Sequence, residues 1–295
     1  MHYRIRILHH AIPLLTGLYA CLFFLPKGSG QQTRLSDLPE DLDSLQLVWS
    51  DEFVGTGPPD TNFWNFEHGF VRNEEDQWYQ EANAWMEDGL LILEARREDK
   101  VNPFFQASGK DWRQTRPRIA YTSSSINTRG KQEWRYGRFE MRARIDIRSG
   151  FWPAWWTLGS HGRWPANGEI DIMEFYRGLL LANVACQGAN GKTEWHDTRH
   201  NIYDFGGAAW AAQFHTWTMD WSATFIRLYM DDQLLNEVLL DDVNNKDGSG
   251  NPFRQPHFML LDFALGGTNG GTINDAFFPA RFEVDFVRVY QQRKN

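Results

Sequence analysis

Cysteine is scarce in this sequence. Only Cys21 and Cys186 occur in 295 residues. Cys21 lies in an apolar N-terminal segment typical of export signals, and if it is removed or acylated there, Cys186 is the one remaining thiol. The mature chain then has no internal disulfide. Its hydrophobic core must stabilise the fold alone, which is sufficient for a chain of this length.

An excess of positive charge is also missing. The chain has 30 Lys and Arg against 38 Asp and Glu, which gives a formal net charge of −8. A general nucleic-acid binder needs surplus cations to neutralise phosphate, so this class of protein is excluded. The balance fits a soluble protein that acts on a neutral substrate.

Tryptophan, in contrast, is abundant, with 14 residues in the chain. Most of these side chains are expected to fill the core. A subset on the wall of a cleft would suit a sugar, because the apolar face of a pyranose stacks on an indole ring while its hydroxyls need polar groups around the rim.

The first 30 residues predict a secretory signal. Arg4 and Arg6 precede an apolar run over residues 11–26, which is too short and too interrupted for a secure membrane span. The motif "LYAC" before Cys21 resembles a bacterial lipoprotein box, so acylation of Cys21 and cleavage after Gly28–Gly30 both stay open. A retained N-terminal membrane anchor is a third alternative. Residues 31–44 form a short polar tether, and the folded domain spans residues 45–295. The chain is therefore expected to be secreted, periplasmic or attached to the cell surface.

After the tether, the hydrophobic pattern indicates β-strands. Apolar and polar residues alternate over residues 137–147 and 214–221, and residues 225–240 predict a hairpin that turns at Asp231–Asp232. Further strands are predicted at residues 89–98, 119–129, 257–265 and 282–291. No long stretch has a helical period. Strands without crossover helices predict an all-β, antiparallel sandwich or barrel.

Three acids interrupt one buried strand, "GEIDIMEF" at residues 168–175. Glu169 and Asp171 share a face of a regular strand, whereas Glu174 would point the other way. One extra residue, a β-bulge at Met173 or Ile172, returns Glu174 to that face. The sequence therefore predicts a bulge that directs all three acids into one cleft.

This spacing suits glycoside hydrolysis with retention of configuration. Four strand steps separate the two glutamate backbones by roughly 13 Å, and side chains that lean together bring the carboxyls to roughly 5–6 Å. One carboxylate can then attack the anomeric carbon while the other protonates the leaving oxygen. Two alternatives are a charged strand edge, which rarely has such aromatic flanks, and a metal site, for which no histidine lies beside the acids.

Four tryptophans precede the acids. For three of them, the period of two along a strand predicts which face of the strand the side chain lies on. Trp152 and Trp156 share one face of their strand, and Trp155 lies on the other. We expect Trp152 and Trp156 in the cleft and Trp155 in the core.

The acidic motif and its flanking segments resemble glycoside hydrolase family 16. The family signature in its bulged form is Glu-x-Asp-x-x-Glu, which "EIDIME" matches fully. The resemblance continues in order through "LVWSDEF" (47–53), "NEEDQWY" (73–79), "DGLLILEARRE" (88–98), "GRFEMRARI" (137–145), "GFWPAWWTLG" (150–159), "FHTWTMDW" (214–221) and "VDFVRVYQ" (284–291).

The resemblance implies a concanavalin A-like β-jelly roll whose concave sheet carries the substrate groove, with residues 45–295 as the catalytic domain. By resemblance, Glu169 is the nucleophile, Asp171 its helper and Glu174 the acid/base. No cofactor is implied for catalysis. Many members of the family hold a structural Ca²⁺, and the corresponding positions are Glu52, Gly89 and Asp285, which would provide backbone oxygens and one carboxylate.

The resemblance favours an endo-acting enzyme on β-1,3-glucan. The same chemistry on a galactan (agar, porphyran or β-1,3-galactan), a transglycosylase and a non-catalytic sugar-binding jelly roll stay as alternatives. Residues 181–205 and 263–275 depart from the laminarinase pattern, so the exact polysaccharide is open. Asn73, with Glu75 and Gln77, and His196 are further candidates for contact with the sugar. We expect a monomer with a polysaccharide as its partner, no nucleic acid, and membrane contact only through a lipid at Cys21.

Overall fold

Strands account for most of the secondary structure, as the period-two pattern predicts. The computed structural model describes residues 44–292. The predicted signal, nearly all of the tether and Cys21 fall on residues 1–43, outside this range. No helix within residues 44–292 is long and apolar enough to cross a membrane.

One sheet, called here the outer sheet, contains ten strands. All its pairs are antiparallel except the one between β3 and β6, which is parallel. The order along the sheet is β15-β14-β13-β8-β17-β5-β6-β3, with β1 paired to β17 and β4 to β5. These strands are β1 (Leu45–Asp51), β3 (Gln77–Tyr79), β4 (Ala84–Glu87), β5 (Leu90–Val101), β6 (Arg118–Ser123), β8 (Gly137–Arg144), β13 (His215–Trp221), β14 (Phe225–Met230), β15 (Gln233–Leu239) and β17 (Ala280–Gln292).

The second sheet, called here the cavity sheet, contains seven antiparallel strands in the order β12-β11-β10-β9-β16-β7-β2. They are β2 (Asn65–Phe66), β7 (Ser125–Asn127), β9 (Phe151–Gly159), β10 (Glu169–Tyr176), β11 (Leu179–Gln187), β12 (Thr193–Asn201) and β16 (His257–Leu265). Three short helices, α1 (Trp112–Thr115), α2 (Ala208–Ala211) and α3 (Gly267–Gly270), and several single 3-10 turns lie in the connections.

The strand predictions are confirmed with one correction. Residues of β8 alternate between buried and half-buried, and the hairpin of β14 and β15 turns at Asp231 and Asp232. Both turn residues have positive φ, at 46° and 65°, as a two-residue hairpin turn of type I′ requires. The predicted strand at residues 119–129 is instead two strands. β6 joins the outer sheet and β7 the cavity sheet, and the chain crosses between the sheets at Ser124.

The two sheets enclose one large hydrophobic core. Phe139, Met141 and Val284 belong to it from the outer sheet, and Ile170 and Phe175 from the cavity sheet. The buried face of each strand is therefore the apolar half of its period-two pattern. The opposite face of the cavity sheet carries polar residues beside a second, small apolar cluster of Ala154, Trp156, Phe258 and Leu260.

Candidate active site

The predicted bulge is present in β10. Against β11, Asp171 pairs with Asn183 and Glu174 pairs with Leu181, so two residues of β10 oppose one residue of its neighbour. The pairing with β9 also shifts between Asp171 and Met173. Ile172 and Met173 are both fully buried in the core. The extra residue thus returns Glu174 to the face of Asp171.

Glu169, Asp171 and Glu174 line the same cavity on the cavity sheet. Its volume is about 380 Å³, which is within the usual range for a ligand site. The lining residues are Arg72, Asn73, Glu75, Trp152, Ala154, Trp156, Leu158, Trp164, Glu169, Asp171, Glu174, Trp195, Asp262 and Asn269. Five acids and one cation in this set give the cavity a strongly acidic character.

Indole groups orient the two glutamates. Trp164 Nε1 donates a hydrogen bond of 2.7 Å to Glu169 Oε2, and Trp152 Nε1 donates one of 2.7 Å to Glu174 Oε1. An N–H donor fixes the rotamer of a carboxylate and favours its ionised form. Each glutamate therefore has its own tryptophan partner.

Asn183 of β11 joins the other two acids of the row. Its Nδ2 lies 3.4 Å from Asp171 Oδ2 and 3.3 Å from Glu174 Oε2. The bulge makes this possible because it brings Glu174 to the face of β11 on which Asn183 lies. Asn183 was not predicted, although a lone amide in the apolar segment "LLLANVAC" is a signal that could have identified it.

The predicted division of the tryptophans between cleft and core is confirmed. Trp152 and Trp156 line the cavity, and Trp155 is fully buried in the core. Trp152 and Trp156 are only 5% and 9% exposed, so their N–H edges serve the site more than their ring faces. Trp164 and Trp195, at 52% and 45% exposed, present open rings to the cavity. These two suit sugar stacking better.

A second polar cluster lies beside the acids of β10. Trp156 Nε1 donates to Asp262 Oδ1 at 2.5 Å, and the Tyr79 hydroxyl lies 3.0 Å from Asp262 Oδ2. Tyr79 also lies 3.3 Å from Glu75 Oε2, which accepts a 2.6 Å bond from Gln77. Asp262 was not predicted, yet it is the one charged residue in the apolar strand "HFMLLDFAL".

Burial raises the pKa of every acid in the row on β10. It raises the pKa of Glu169 to about 7 and that of Glu174 to about 8, and the indole hydrogen bonds oppose the rise in each case. Burial, with the charges of Glu169 and Glu174, raises the pKa of Asp171 well above its usual value. A protonated Asp171 can donate to Glu169 and so favours the Glu169 anion.

Only some of the other residues predicted to contact the sugar line the cavity. Asn73 and Glu75 line it, and Gln77 is buried behind Glu75. His196 is not among the lining residues, and this prediction is corrected. Successive residues of a strand face opposite ways, so the strand position that faces the cavity belongs to Trp195.

The segments that carry the residues predicted to bind calcium approach the same part of β17. β17 pairs Val284 with Leu91 and Val287 with Asp51, so the strand that follows Gly89 and the strand that precedes Glu52 meet β17 on either side of Asp285. The Glu52 carboxylate accepts bonds of 2.9 and 2.8 Å from Arg288.

Side chains alone do not make this a metal site. Asp285 forms an ion pair with Arg142. Residues 44–292 contain no group of three or more His, Cys, Asp or Glu arranged to hold a metal. Backbone carbonyls and one carboxylate would have to provide the ligands, a donor set that calcium accepts.

The fold and the site define the class of the protein: a β-sandwich that presents paired glutamates to a sugar-sized cavity, as in retaining glycosidases. The family model described as Glycosyl hydrolases family 16 matches residues 71–287. The chain belongs to this family, and it is an endo-glycosidase.

Three similar proteins place the chain within the family. It is 36% identical to a β-glucanase of Rhodothermus marinus over 282 residues, 87% of this chain and 88% of that protein. The catalytic domain of the laminarinase from Thermotoga maritima MSB8 is 30% identical, with a TM-score of 0.71 over 85% of this chain and all of that domain. A structure described for endo-acting O-glycanases, with which human gut bacteria initiate mucin breakdown, is 32% identical, with a TM-score of 0.77 over 87% of this chain and 94% of that one.

Proposed function

We propose that the protein is an endo-acting, retaining glycosidase that hydrolyses β-1,3-glucan by double displacement. Glu169 attacks the anomeric carbon, Glu174 protonates the leaving oxygen and then activates water, and Asp171 holds Glu169 ionised. The observation that carries this proposal is the bulge, because it places two glutamates with separate hydrogen-bond partners at one cavity. The β-glucanase and laminarinase relatives support the choice of substrate.

The charge of the cavity supports a neutral glycan. Sulfate groups on a porphyran or carrageenan would meet the ionised carboxylate of Glu169 and a single arginine that already pairs with Glu67. Like charges in a poorly solvated site repel strongly. Uncharged glucans and uncharged galactans avoid this penalty. The charge of the cavity therefore disfavours sulfated substrates, but it does not distinguish a glucan from an uncharged galactan.

A product assay tests the substrate. Purified protein is incubated with laminarin, mixed-linkage glucan, agarose, β-1,3-galactan, porphyran and mucin, beside a Glu169→Gln control. Oligosaccharides from laminarin that are absent with the control support the proposal. Products only from mucin, to which the O-glycanase structure points, or only from a galactan, would replace the substrate but keep the chemistry.

The dependence of kcat/KM on pH should be bell-shaped. Turnover needs ionised Glu169 and protonated Glu174, so the acid limb should lie near pH 7 and the alkaline limb near pH 8. Trp164→Phe removes a bond that lowers the pKa of Glu169 and should shift the acid limb upward. Trp152→Phe should shift the alkaline limb upward for the same reason at Glu174. Limbs that respond to the opposite variants would reverse the two roles.

We also propose a structural calcium ion between Glu52, Gly89 and Asp285. A ligand that binds only the folded state stabilises it by mass action. Millimolar CaCl₂ should therefore raise the Tm, and EDTA should lower it, with kcat unchanged at temperatures where the protein stays folded. The matched variant is Asp285→Asn, which should lose the response to calcium. Equal Tm values with CaCl₂ and EDTA would eliminate this site.

Export is the third proposal, supported by the charged start and apolar run of residues 1–30. Mass analysis of the protein from its native host separates the alternatives. A mature chain that begins near residue 31 indicates soluble secretion, and one that begins at an acylated Cys21 indicates a lipoprotein. An uncut N-terminus would contradict both.

A further inference from the structure

Arg72 is the one cation among the described residues that line the cavity. It lies in the loop before β3. Its guanidinium forms an ion pair with Glu67 Oε2, which also accepts a 2.6 Å hydrogen bond from Ser125 Oγ. The side chain is 21% exposed, so solvent screens its charge only in part. A half-buried arginine in this position lowers the pKa of Glu75, Glu169 and Asp262 through its charge.

Aromatic rings fix the position of this charge. The guanidinium carbon lies 5.2 Å from the ring centroid of Trp156 and 5.9 Å from that of Tyr79. Both ring residues hold Asp262 through hydrogen bonds, so Arg72 is packed against the polar cluster. Arg72 Nη1 is buried without a hydrogen-bond partner in the described part of the chain. The guanidinium is therefore held in place mainly by the two rings and by Glu67, and not by a complete set of hydrogen bonds.

We propose that Arg72 is a positioning residue for the reaction: held by Glu67, Trp156 and Tyr79, it supplies the countercharge that keeps Glu169 ionised in an otherwise acidic cavity. The inference rests on the proposed role of Glu169 as the nucleophile. Arg72 acts through Glu169 and does not itself need to touch the reacting atoms.

The charged groups around Glu169 support this role. Asp171 and Glu174 face it from its own strand, Asp262 from β16, and Glu75 and Arg72 from the loop before β3. Burial raises the pKa of Glu169, and the charge of Arg72 counteracts this rise, as it does for Glu75 and Asp262. Of these groups, Arg72 alone is positive, so its removal leaves the carboxylates without a compensating charge.

Three variants test the inference through the acid limb of kcat/KM. Arg72→Gln should shift this limb upward by about half a unit to one unit, less than a directly paired charge would give. At pH values well below the acid limb, this shift lowers kcat/KM by a further factor of about 3 to 10 relative to its plateau value. Arg72→Lys keeps the charge and should leave the limb near its original pH.

Glu67→Gln should shift the limb in the opposite direction. It removes the carboxylate that neutralises Arg72, which leaves more positive charge to act on Glu169. A role that is only structural would move the limb the same way in both variants or not at all. This variant also keeps the inference testable if Arg72→Gln does not fold, because Glu67 does not line the cavity.

Arg116 provides the matched control. It binds the same loop through the backbone oxygens of Glu74 and Glu75 and forms an ion pair with Asp76, yet it does not line the cavity. Arg116→Gln should lower the Tm and leave the acid limb in place.

Two results would overturn the inference: an unchanged limb in folded Arg72→Gln, or equal upward shifts in Arg72→Gln and Glu67→Gln. Activity that survives in Glu169→Gln would instead overturn the proposed function, so the two failures are distinct.

Discussion

Replacing Glu169 with glutamine is expected to reduce kcat by about 10⁴-fold or more, in the range seen when a covalent nucleophile is removed. A loss of 10⁴ equals about 5.5 kcal/mol of transition-state stabilisation. The amide keeps the shape of the side chain, and its oxygen can still accept the Trp164 hydrogen bond. It cannot attack the anomeric carbon or balance the positive charge that develops on the sugar.

Glu75→Gln is the matched control for this loss. Glu75 lines the same cavity, and burial raises its pKa to about 7, as it does for Glu169. Glu75 lies outside the row on β10, so its neutralisation should cost far less, about tenfold. Circular dichroism and Tm establish that both variants fold. Comparable losses in the two variants would show that general cavity charge, and not a nucleophile at Glu169, carries the reaction.

Azide identifies the position of the nucleophile. In Glu169→Gly, azide can occupy the space of the carboxylate and attack an activated aryl β-glycoside from that face. One displacement inverts the anomeric carbon, so the product should be the α-glycosyl azide, which NMR distinguishes from the β form. Rescue that yields the β-azide would assign Glu169 as the acid/base instead.

The sequence predicted the acids of the site because their signal is local. Glu169, Asp171 and Glu174 lie on one strand, and a spacing of two and then three can place them together only through a bulge. The same local rule separated Trp155 from Trp152 and Trp156. Strand character also follows from local alternation, so most strands of the outer sheet were predicted, as were β9, β10 and β16 of the cavity sheet. The break at Ser124 was missed because neither glycine nor proline interrupts the run "YTSSSIN", and its serines also occur within strands.

The rest of the site depends on pairing between distant segments. Arg72 and Asp262 reach the cavity, and Asn183 reaches Asp171 and Glu174, from a loop and two strands that lie far apart in the sequence. No spacing relates these three residues. His196 illustrates how much depends on which of two neighbouring strand residues faces the cavity. A shift of one residue along β12 exchanges a side chain that faces away from the cavity for Trp195, which lines it. Which of two neighbours faces a cavity is set by register, and register is fixed by the adjacent strand.

Glu174→Ala should show the signature of a lost acid/base. On polysaccharide, the first step needs a proton on a poor leaving group, so kcat/KM should fall by about 10³-fold. On an aryl glycoside whose phenol leaves without protonation, this step should remain fast. Hydrolysis of the intermediate then lacks its base, so glycosyl-Glu169 accumulates, and a burst of phenol should precede slow turnover.

Azide completes the assignment because it needs no base to attack the glycosyl intermediate. It should accelerate Glu174→Ala on the aryl glycoside and yield the β-glycosyl azide, since two displacements restore the original configuration. The α product from Glu169→Gly and the β product from Glu174→Ala thus assign both roles independently of absolute rates. Equal losses on the two kinds of substrate, without a burst, would show that Glu174 does not protonate the leaving group. The proton donor would then have to be sought among Asp171, Glu75 and Asp262, the other acids that line the cavity.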